Sequence, residues 1–335
     1  FNFNLLPNVL NFRIEVNRLY SENTLRDNDP NNFIPINTNF NKNFTLTRLY
    51  GISWDLSKSL KLDFNATNLS VVDEPEGRIT GLKRDTVWNN LKRLGRTTDY
   101  NHNITLSYTV PINKIPYLEF VNLVTRYQTQ FNWMTEPLLS LNDPNLDFGN
   151  TIQNSRTVQV NPTLNMNTLY NKFGFYRELR TSDDKNVGKA LLNLLFSVKN
   201  LSGSYIRNDG TFLPGYLPKT NAFGMDFSMN APGLGFVLGS QEDIRGRALA
   251  NGWITSDTLM NQLYVQNLSE RLNLRGTLEP FRDLRIEITA LKNQSKNFTT
   301  NFKYDAERNG FASLNPITSG DYSISIISLG SAFKD

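Results

Sequence analysis

Between residues 40 and 66 the chain alternates apolar and polar side chains with a period of two, on both sides of a polar turn at 55–59. Apolar side chains hold the even positions, and Asn, Thr, Ser, Lys and Asp dominate the odd ones. This pattern predicts a β-hairpin with one apolar and one polar face. Its first arm, 40–54, exceeds both the five or six residues typical of soluble strands and the roughly nine to eleven that cross a bilayer. Such length and alternation predict a wall between lipid and water.

The same alternation recurs along the chain and predicts about ten strands joined by alternately short and long connections. Further strands are predicted at about 12–20, 100–110, 117–133, 156–170, 196–205, 271–278, 284–290 and 322–329. Loops are predicted at about 21–39, 70–99, 137–154, 209–266 (with room for one extra hairpin) and 293–320. Helical spacing after Ser182 predicts a short helix within 173–195. Short turns would lie at one end and long loops at the other, as in outer-membrane barrels.

The alternation predicts which side chains face lipid and which face the water of the lumen. The predicted lipid-facing residues are Phe44, Leu46, Ile52, Leu62, Phe64, Ile104, Leu106, Val158, Val160, Ile286 and Ile288. The predicted lumen-facing residues are Lys61, Asp63, Arg285 and Glu287. The predicted fold class is therefore all-β, an antiparallel transmembrane β-barrel. A soluble sandwich, in which the apolar face packs on a second sheet, is the alternative.

Composition narrows the function classes. Hydrophobic residues form 39% of the 335 residues and the mean hydropathy is −0.41. A membrane β-barrel can have so low a mean hydropathy, because each lipid-facing apolar residue is averaged with a polar neighbour. Asn supplies 45 residues, which suits polar walls and turns. The net charge of +4 is dispersed, so no nucleic-acid partner is predicted. Without cysteine, disulfides and thiolate metal sites are excluded.

Residues that could carry chemistry are few. The single histidine, His102, lies on the apolar side of its strand, where a structural role is favoured over catalysis. The adjacent acids of 73–74 and 183–184 are typical of solvated turns, and 27–29 lacks the remaining spacing of a calcium loop. The glycines of 233–235 follow no βαβ strand, so they do not indicate a phosphate site. No catalytic, cofactor-binding or metal site is predicted, and the chain is not expected to be an enzyme.

Short motifs spread over nearly the whole chain carry a family resemblance. They are Phe3-Asn4-Leu5-Leu6-Pro7, Val72-Asp73-Glu74-Pro75-Glu76-Gly77, Leu94-Gly95-Arg96, Gly149-Asn150-Thr151-Ile152-Gln153-Asn154-Ser155, Leu169-Tyr170-Asn171-Lys172, Leu213-Pro214-Gly215-Tyr216, Ala231-Pro232-Gly233, Phe236-Val237-Leu238-Gly239 and Leu278-Glu279-Pro280-Phe281. In order and spacing the chain resembles the SprA/Sov family, the giant outer-membrane translocon of the Bacteroidetes type 9 secretion system, associated with gliding motility.

The resemblance implies an arc of about 10–12 strands from a larger barrel in the cell outer membrane. It implies strands with extracellular loops over 1–172, a short periplasmic helical insertion over 173–195, and further strands with Gly/Pro-rich loops over 196–335. Because the family has a larger insertion at this point, the resemblance also implies that residues are missing near Arg180. It also implies conduction of folded cargo proteins through a water-filled lumen with a lateral opening. The implied partners are outer-membrane lipid, secreted cargo, a PorV-type barrel and a periplasmic plug protein. No cofactor is implied.

Three other functions remain open at the level of sequence. A TonB-dependent nutrient transporter of the SusC type would share the strands but carry an N-terminal plug domain. A soluble carbohydrate-binding sandwich would have strands of about five to seven residues. An outer-membrane hydrolase would need a serine within hydrogen-bonding reach of His102.

Overall fold

The computed structural model describes residues 3–25, 37–137, 140, 143, 145–174, 176, 194–281 and 284–325. Within these residues the chain forms one 11-stranded antiparallel sheet in which the first ten strands are neighbours in chain order. The strands are β1 (Val9–Asn23), β2 (Asn39–Trp54), β3 (Leu60–Val71), β4 (Arg96–Val110), β5 (Val121–Met134), β6 (Asn150–Asn165), β7 (Val198–Tyr216), β8 (Tyr264–Phe281), β9 (Leu284–Asp305), β10 (Gly310–Ser319) and β11 (Tyr322–Ile324). The sheet is open, with β1 at one edge and β10 and β11, which both pair with β9, at the other.

The helices are short and lie in the connections. They are α1 (Leu82–Lys92), α2 (Met166–Tyr170), α3 (Leu234–Val237) and α4 (Arg245–Ala250), with a 3-10 helix at Pro111–Lys114. No helix in the described ranges combines the length and apolar character needed to cross a membrane. The all-β class predicted from the sequence is confirmed at this level.

Long strands distinguish the sheet. β2 has 16 residues, β7 has 19 and β9 has 22. At roughly 3.4 Å per residue, β9 extends over about 75 Å. Because successive residues point to opposite faces, an antiparallel register carries one face across all strands. One row of paired residues runs Tyr50, Ala66, His102 and Phe131.

We call the face that carries this row the apolar face and the opposite one the polar face. The polar face carries the neighbouring row Asn65, Asn103, Gln130 and Ser155. The two faces thus follow the parity that the alternation predicted.

The connections alternate between two ends of the sheet. The strand ends that lead from β2 to β3, from β4 to β5, from β6 to β7 and from β8 to β9 share one end of the sheet, here called the short-turn end. The strand ends that lead from β1 to β2, from β3 to β4, from β5 to β6, from β7 to β8 and from β9 to β10 share the other, here called the long-loop end. This agrees with the predicted alternation of short turns and long loops between the two ends, and no strand of the sheet lies between 217 and 263. That segment contains no additional hairpin of the sheet.

Several boundaries differ from the sequence prediction. The predicted loop 293–320 is mostly strand, because β9 continues to Asp305 and pairs with β10 through polar residues that blur the alternation. The predicted strand 156–170 is β6 shifted towards the N-terminus, and its last five residues form α2. The predicted loop 70–99 contains α1. Most of the predicted helix at 173–195, with Arg180, Asp183 and Asp184, lies outside the described residues, as do 27–29.

Two segments from the long-loop end fold back onto the apolar face. The larger, 217–263, is named the covering segment, and its buried Phe236, Ile244 and Ala248 pack against Phe131 and Tyr264 of the sheet. The smaller segment comprises 72–95 with α1. These segments give the single sheet its core, because they bury the part of the apolar face nearest the long-loop end.

Candidate functional site

The apolar face is divided into two zones along the strands. Near the long-loop end it is buried by the chain itself, as shown by Trp133, Ile152 and Leu213 at 2%, 0% and 0% exposure. Towards the short-turn end no described segment covers it, and Leu274 and Ile288 remain 46% and 43% exposed. We call this uncovered zone the belt. It is the candidate functional surface.

Most of the residues predicted to face lipid lie together in the belt. The register pairs Ile52 with Phe64, Phe64 with Ile104, and Leu62 with Leu106. Val158 and Val160 continue the belt on β6, and Ile286 and Ile288 on β9. The alternation therefore assembled one surface from distant parts of the chain.

Phe44 and Leu46 require a correction. They lie on the apolar face but are only 7% and 2% exposed, because Val72 and Val87 of the 72–95 segment pack against them. They are thus covered by protein and are not available to lipid. Periodicity placed them on the correct face but could not reveal that a loop returns over them.

The residues predicted to face the lumen all lie on the polar face. Lys61 forms an ion pair with Asp55 at 3.2 Å, and Asp63 accepts a hydrogen bond from Ser53 Oγ at 2.7 Å. On β9, Arg285 and Glu287 pair at 3.0 Å. The side chains of Lys61 and Arg285 are 60% and 63% exposed, so these contacts contribute little stability. They mark the polar face as exposed at these positions.

Polar side chains of the sheet fasten the covering segment. Asn154, with 0% exposure, donates hydrogen bonds from Nδ2 to the carbonyl oxygens of Phe236 and Ser240, both at 2.8 Å. His102 Nε2 donates to the carbonyl oxygen of Val237 at 3.2 Å. These bonds give the carbonyl oxygens of Val237 and Ser240 a donor, whereas that of Phe236 also accepts from the N–H of Gly239 at 3.0 Å. A buried acceptor without a partner costs about 1–3 kcal/mol.

Two glycines permit the close approach of the covering segment to the sheet. A Cβ at Gly224 would lie 2.6 Å from Phe131 Cε1, and one at Gly239 would lie 2.8 Å from Thr129 Cγ2. Both residues also have positive φ, of 78° and 84°. Larger residues at these positions would displace the segment.

A second anchor lies at the start of α4. Arg245 Nη2 pairs with Asp243 Oδ2 at 2.7 Å, and its guanidinium carbon lies 4.7 Å from the centre of the Tyr264 ring. The hydrogen bond from Arg245 lowers the pKa of Asp243. The pair therefore holds Asp243 in its charged form and ties α4 to β8.

Charged side chains mark the boundary between the covering segment and the belt. Asp209, only 5% exposed at its side chain, pairs with Arg156 at 2.8 Å and with Arg207 at 3.0 Å. Arg207 also pairs with Glu270 at 3.4 Å. A buried charge requires such partners. The covered zone thus ends at the row of Arg156 and Asp209. Arg207 and Glu270 lie one row further, in the row of Val158, so the belt carries one ion pair on β7 and β8.

Sequence reasoning treated the apolar face as uniform and missed these anchors. The sequence does contain a signal for them, namely polar residues at positions where the alternation places apolar ones. Each of these polar residues lies in the half of its strand nearer the long-loop end. These are Asn68, Ser70, His102, Asn154, Arg156, Asp209 and Thr211.

His102 has no catalytic geometry in the described part of the chain. It is 2% exposed, and its hydrogen-bond partner there is the Val237 carbonyl oxygen rather than a serine hydroxyl. Groups of three His, Cys, Asp or Glu side chains suited to a metal ion do not occur among the described residues.

The fold places the chain in the all-β class as an open antiparallel sheet with one polar and one partly uncovered apolar face. A scan against models of protein families finds no match, and neither does a search of curated proteins.

Proposed function

We propose that this chain is an arc of the wall of an outer-membrane β-barrel translocon, which passes folded cargo proteins of the type 9 secretion system through a water-filled lumen. The belt would face lipid and the polar face would face the lumen. The sequence resemblance to the SprA/Sov family supports the translocon class, and with it a PorV-type barrel and a periplasmic plug protein as partners.

The observation that carries the membrane part of the proposal is the unequal covering of one face. The chain buries the apolar face near the long-loop end with its own segments and leaves the belt bare over β2 to β9. Soluble monomers rarely expose contiguous apolar surface beyond a few hundred Å². Lipid would cover the belt, and the covered zone would project beyond the bilayer, which accounts for strands longer than a bilayer needs.

The open edges support an arc rather than a complete pore. In hydrocarbon, each unpaired backbone group costs several kcal/mol, so a membrane sheet must close on itself. The outer edges of β1 and β10 have no partner strand among the described residues. Additional strands would complete the barrel, in agreement with the resemblance to a much longer family.

The soluble sandwich is less well supported. It predicts a second sheet packed on the apolar face and strands of about five to seven residues. The described residues form a single sheet, in which β1 to β10 each have ten or more residues.

Fractionation of the full-length parent protein tests the membrane proposal. We expect it to sediment with outer membranes, to resist an alkaline carbonate wash and to require detergent for solubility. Release by the wash as a soluble monomer would refute a membrane role. A deletion strain tests the cargo: accumulation of folded secreted proteins in the periplasm supports the translocon, whereas normal secretion with impaired nutrient uptake would support the SusC-type transporter instead.

A further inference from the structure

A cavity of about 410 Å³ opens on the apolar face where β1, β2 and β3 meet the tip of the covering segment. This volume is within the range of small-molecule sites. Its walls are mainly apolar and aromatic and include Leu10, Tyr50 and Phe64, with Phe223 of the covering segment at its edge. The ring of Phe223 lies 5.7 Å from that of Phe64. The cavity is thus a gap between the covering segment and the edge of the sheet.

The cavity has one cationic side chain, Arg48. Its Nη2 donates hydrogen bonds to two neutral acceptors, Asn68 Oδ1 at 2.6 Å and Ser70 Oγ at 3.1 Å. Within the described part of the chain Arg48 has no carboxylate partner, and its Nε has no hydrogen-bond acceptor. A guanidinium in such apolar surroundings favours an anion.

Other arginines on the same face are neutralised by the protein. Arg18 pairs with Glu74 at 2.6 Å, and Arg156 and Arg207 both pair with Asp209. Arg48 differs from them although it lies in the same sheet. A ligand would supply the missing negative charge.

The polarity of the cavity changes along the strand direction. Arg48 and Asn68 are paired neighbours at its polar end, whereas Ile52, Phe64 and Leu10 are neighbours at its apolar end, where the belt begins. From Arg48 to Ile52 the strand rises by roughly 13 Å. The cavity therefore suits an elongated amphiphile with its anionic group at Arg48 and its apolar part directed into the belt.

Phe223 is held over this cavity in an unfavourable conformation. Its φ is 52°, which is uncommon for a bulky residue, and its side chain is 56% exposed. An apolar ligand beneath the ring would remove that surface from water.

We propose that this cavity binds an anionic lipid, with the headgroup phosphate at Arg48 and one acyl chain along Ile52 and Leu10 towards the belt. Arg binds phosphate well because its planar fork of donors matches the phosphate oxygens. The inference rests on the proposed membrane function, because the lipid would come from the surrounding bilayer, from the leaflet nearer the long-loop end.

The test uses the full-length protein in nanodiscs of phosphatidylcholine that contain a small fraction of photo-crosslinking phosphatidylglycerol. Cross-links to the peptides of β1 and β2 are counted by mass spectrometry. We expect Arg48→Gln to reduce them by roughly tenfold, the loss expected for a charge-assisted hydrogen bond, and Arg48→Lys to retain most of them. Arg126→Gln, the same charge change on the polar face, is the matched control and should leave them unchanged.

A comparison on the unmodified protein does not depend on whether the variants fold. A photo-crosslinking phosphatidylcholine should label these peptides far less than the phosphatidylglycerol. Equal labelling by the two lipids, or unchanged labelling of Arg48→Gln, would overturn the lipid site. If the protein still resisted the alkaline wash, only this inference would fail. Release by the wash would instead refute the proposed function and this inference with it.

Discussion

Replacing Ile104 by lysine tests whether the belt faces lipid. Ile104 is half-buried in the row of the apolar face where the belt begins, and its cross-strand neighbours Phe64 and Thr129 are uncharged. A lysine on the lipid face costs about 2–4 kcal/mol near the bilayer centre and less towards the interface. A cost of about 2 kcal/mol lowers the equilibrium constant for folding by roughly 30-fold.

Asn103→Lys is the matched control, because Asn103 is the next residue on the same strand and points to the polar face. Its neighbours Asn65 and Gln130 are also uncharged. In a water-filled lumen this substitution should change the free energy of unfolding by no more than about 0.5 kcal/mol. The measurement is urea-induced unfolding of the full-length protein in lipid vesicles, followed by tryptophan fluorescence.

Ile104→Phe separates lipid from a packed protein layer. Fluid lipid would accommodate the larger apolar side chain, whereas a close-packed core would lose about 1–3 kcal/mol through overpacking. The reasoning fails if both lysine variants are equally tolerated, since the belt would then face water. It also fails if Ile104→Phe is as costly as Ile104→Lys, since the belt would then be a core.

Three further predictions concern the other surfaces. These 335 residues contain no cysteine, so single cysteines can be labelled selectively. Lys61→Cys should react with a membrane-impermeant maleimide in intact vesicles, and Leu62→Cys should react only after solubilisation. The reverse order of reactivity would show that the lipid-facing and lumen-facing assignments are exchanged. Asn154→Leu should leave the Ser240 carbonyl oxygen without its donor, destabilise the docking of the covering segment by about 1–3 kcal/mol, and expose 217–263 to limited proteolysis; unchanged cleavage would show that Asn154 is not an anchor. Because Arg245 lowers the pKa of Asp243, their pairing should stabilise the covering segment fully above about pH 5, and this contribution should be lost as the pH falls below about 4. Amide hydrogen exchange at 240–250, corrected for intrinsic rates, measures this stability. Exchange that does not change with pH would contradict the prediction.

The alternation of the sequence was sufficient to predict the two faces because side-chain direction in a strand is a local property with a period of two. Lys61 and Leu62 are adjacent in sequence and lie on opposite faces, as their parity requires. The repeated antiparallel order also followed from the sequence, because short polar connections join neighbouring strands. The extension of β9 beyond residue 293 was not predicted, because its polar residues form a ladder through backbone hydrogen bonds that side-chain hydropathy does not report.

Docking of the covering segment was beyond local reasoning. The carbonyl of Val237 meets His102 across 135 positions of the chain, and only the folded backbone brings them together. Phe44 and Leu46 illustrate the consequence, since they share the parity of Ile52 but are buried by α1 and its neighbouring loop. The cavity at Arg48 depends on the same docking, because one of its walls belongs to the covering segment.

By itself the sequence determined the all-β class, the parity of the strands that it predicted and the two ends at which the connections lie, because all three follow from the period-two geometry of an extended chain. Only the tertiary structure decided which part of the apolar face is covered and which remains bare. The reason is that covering depends on contacts between segments far apart in sequence, and the alternation is the same in both zones.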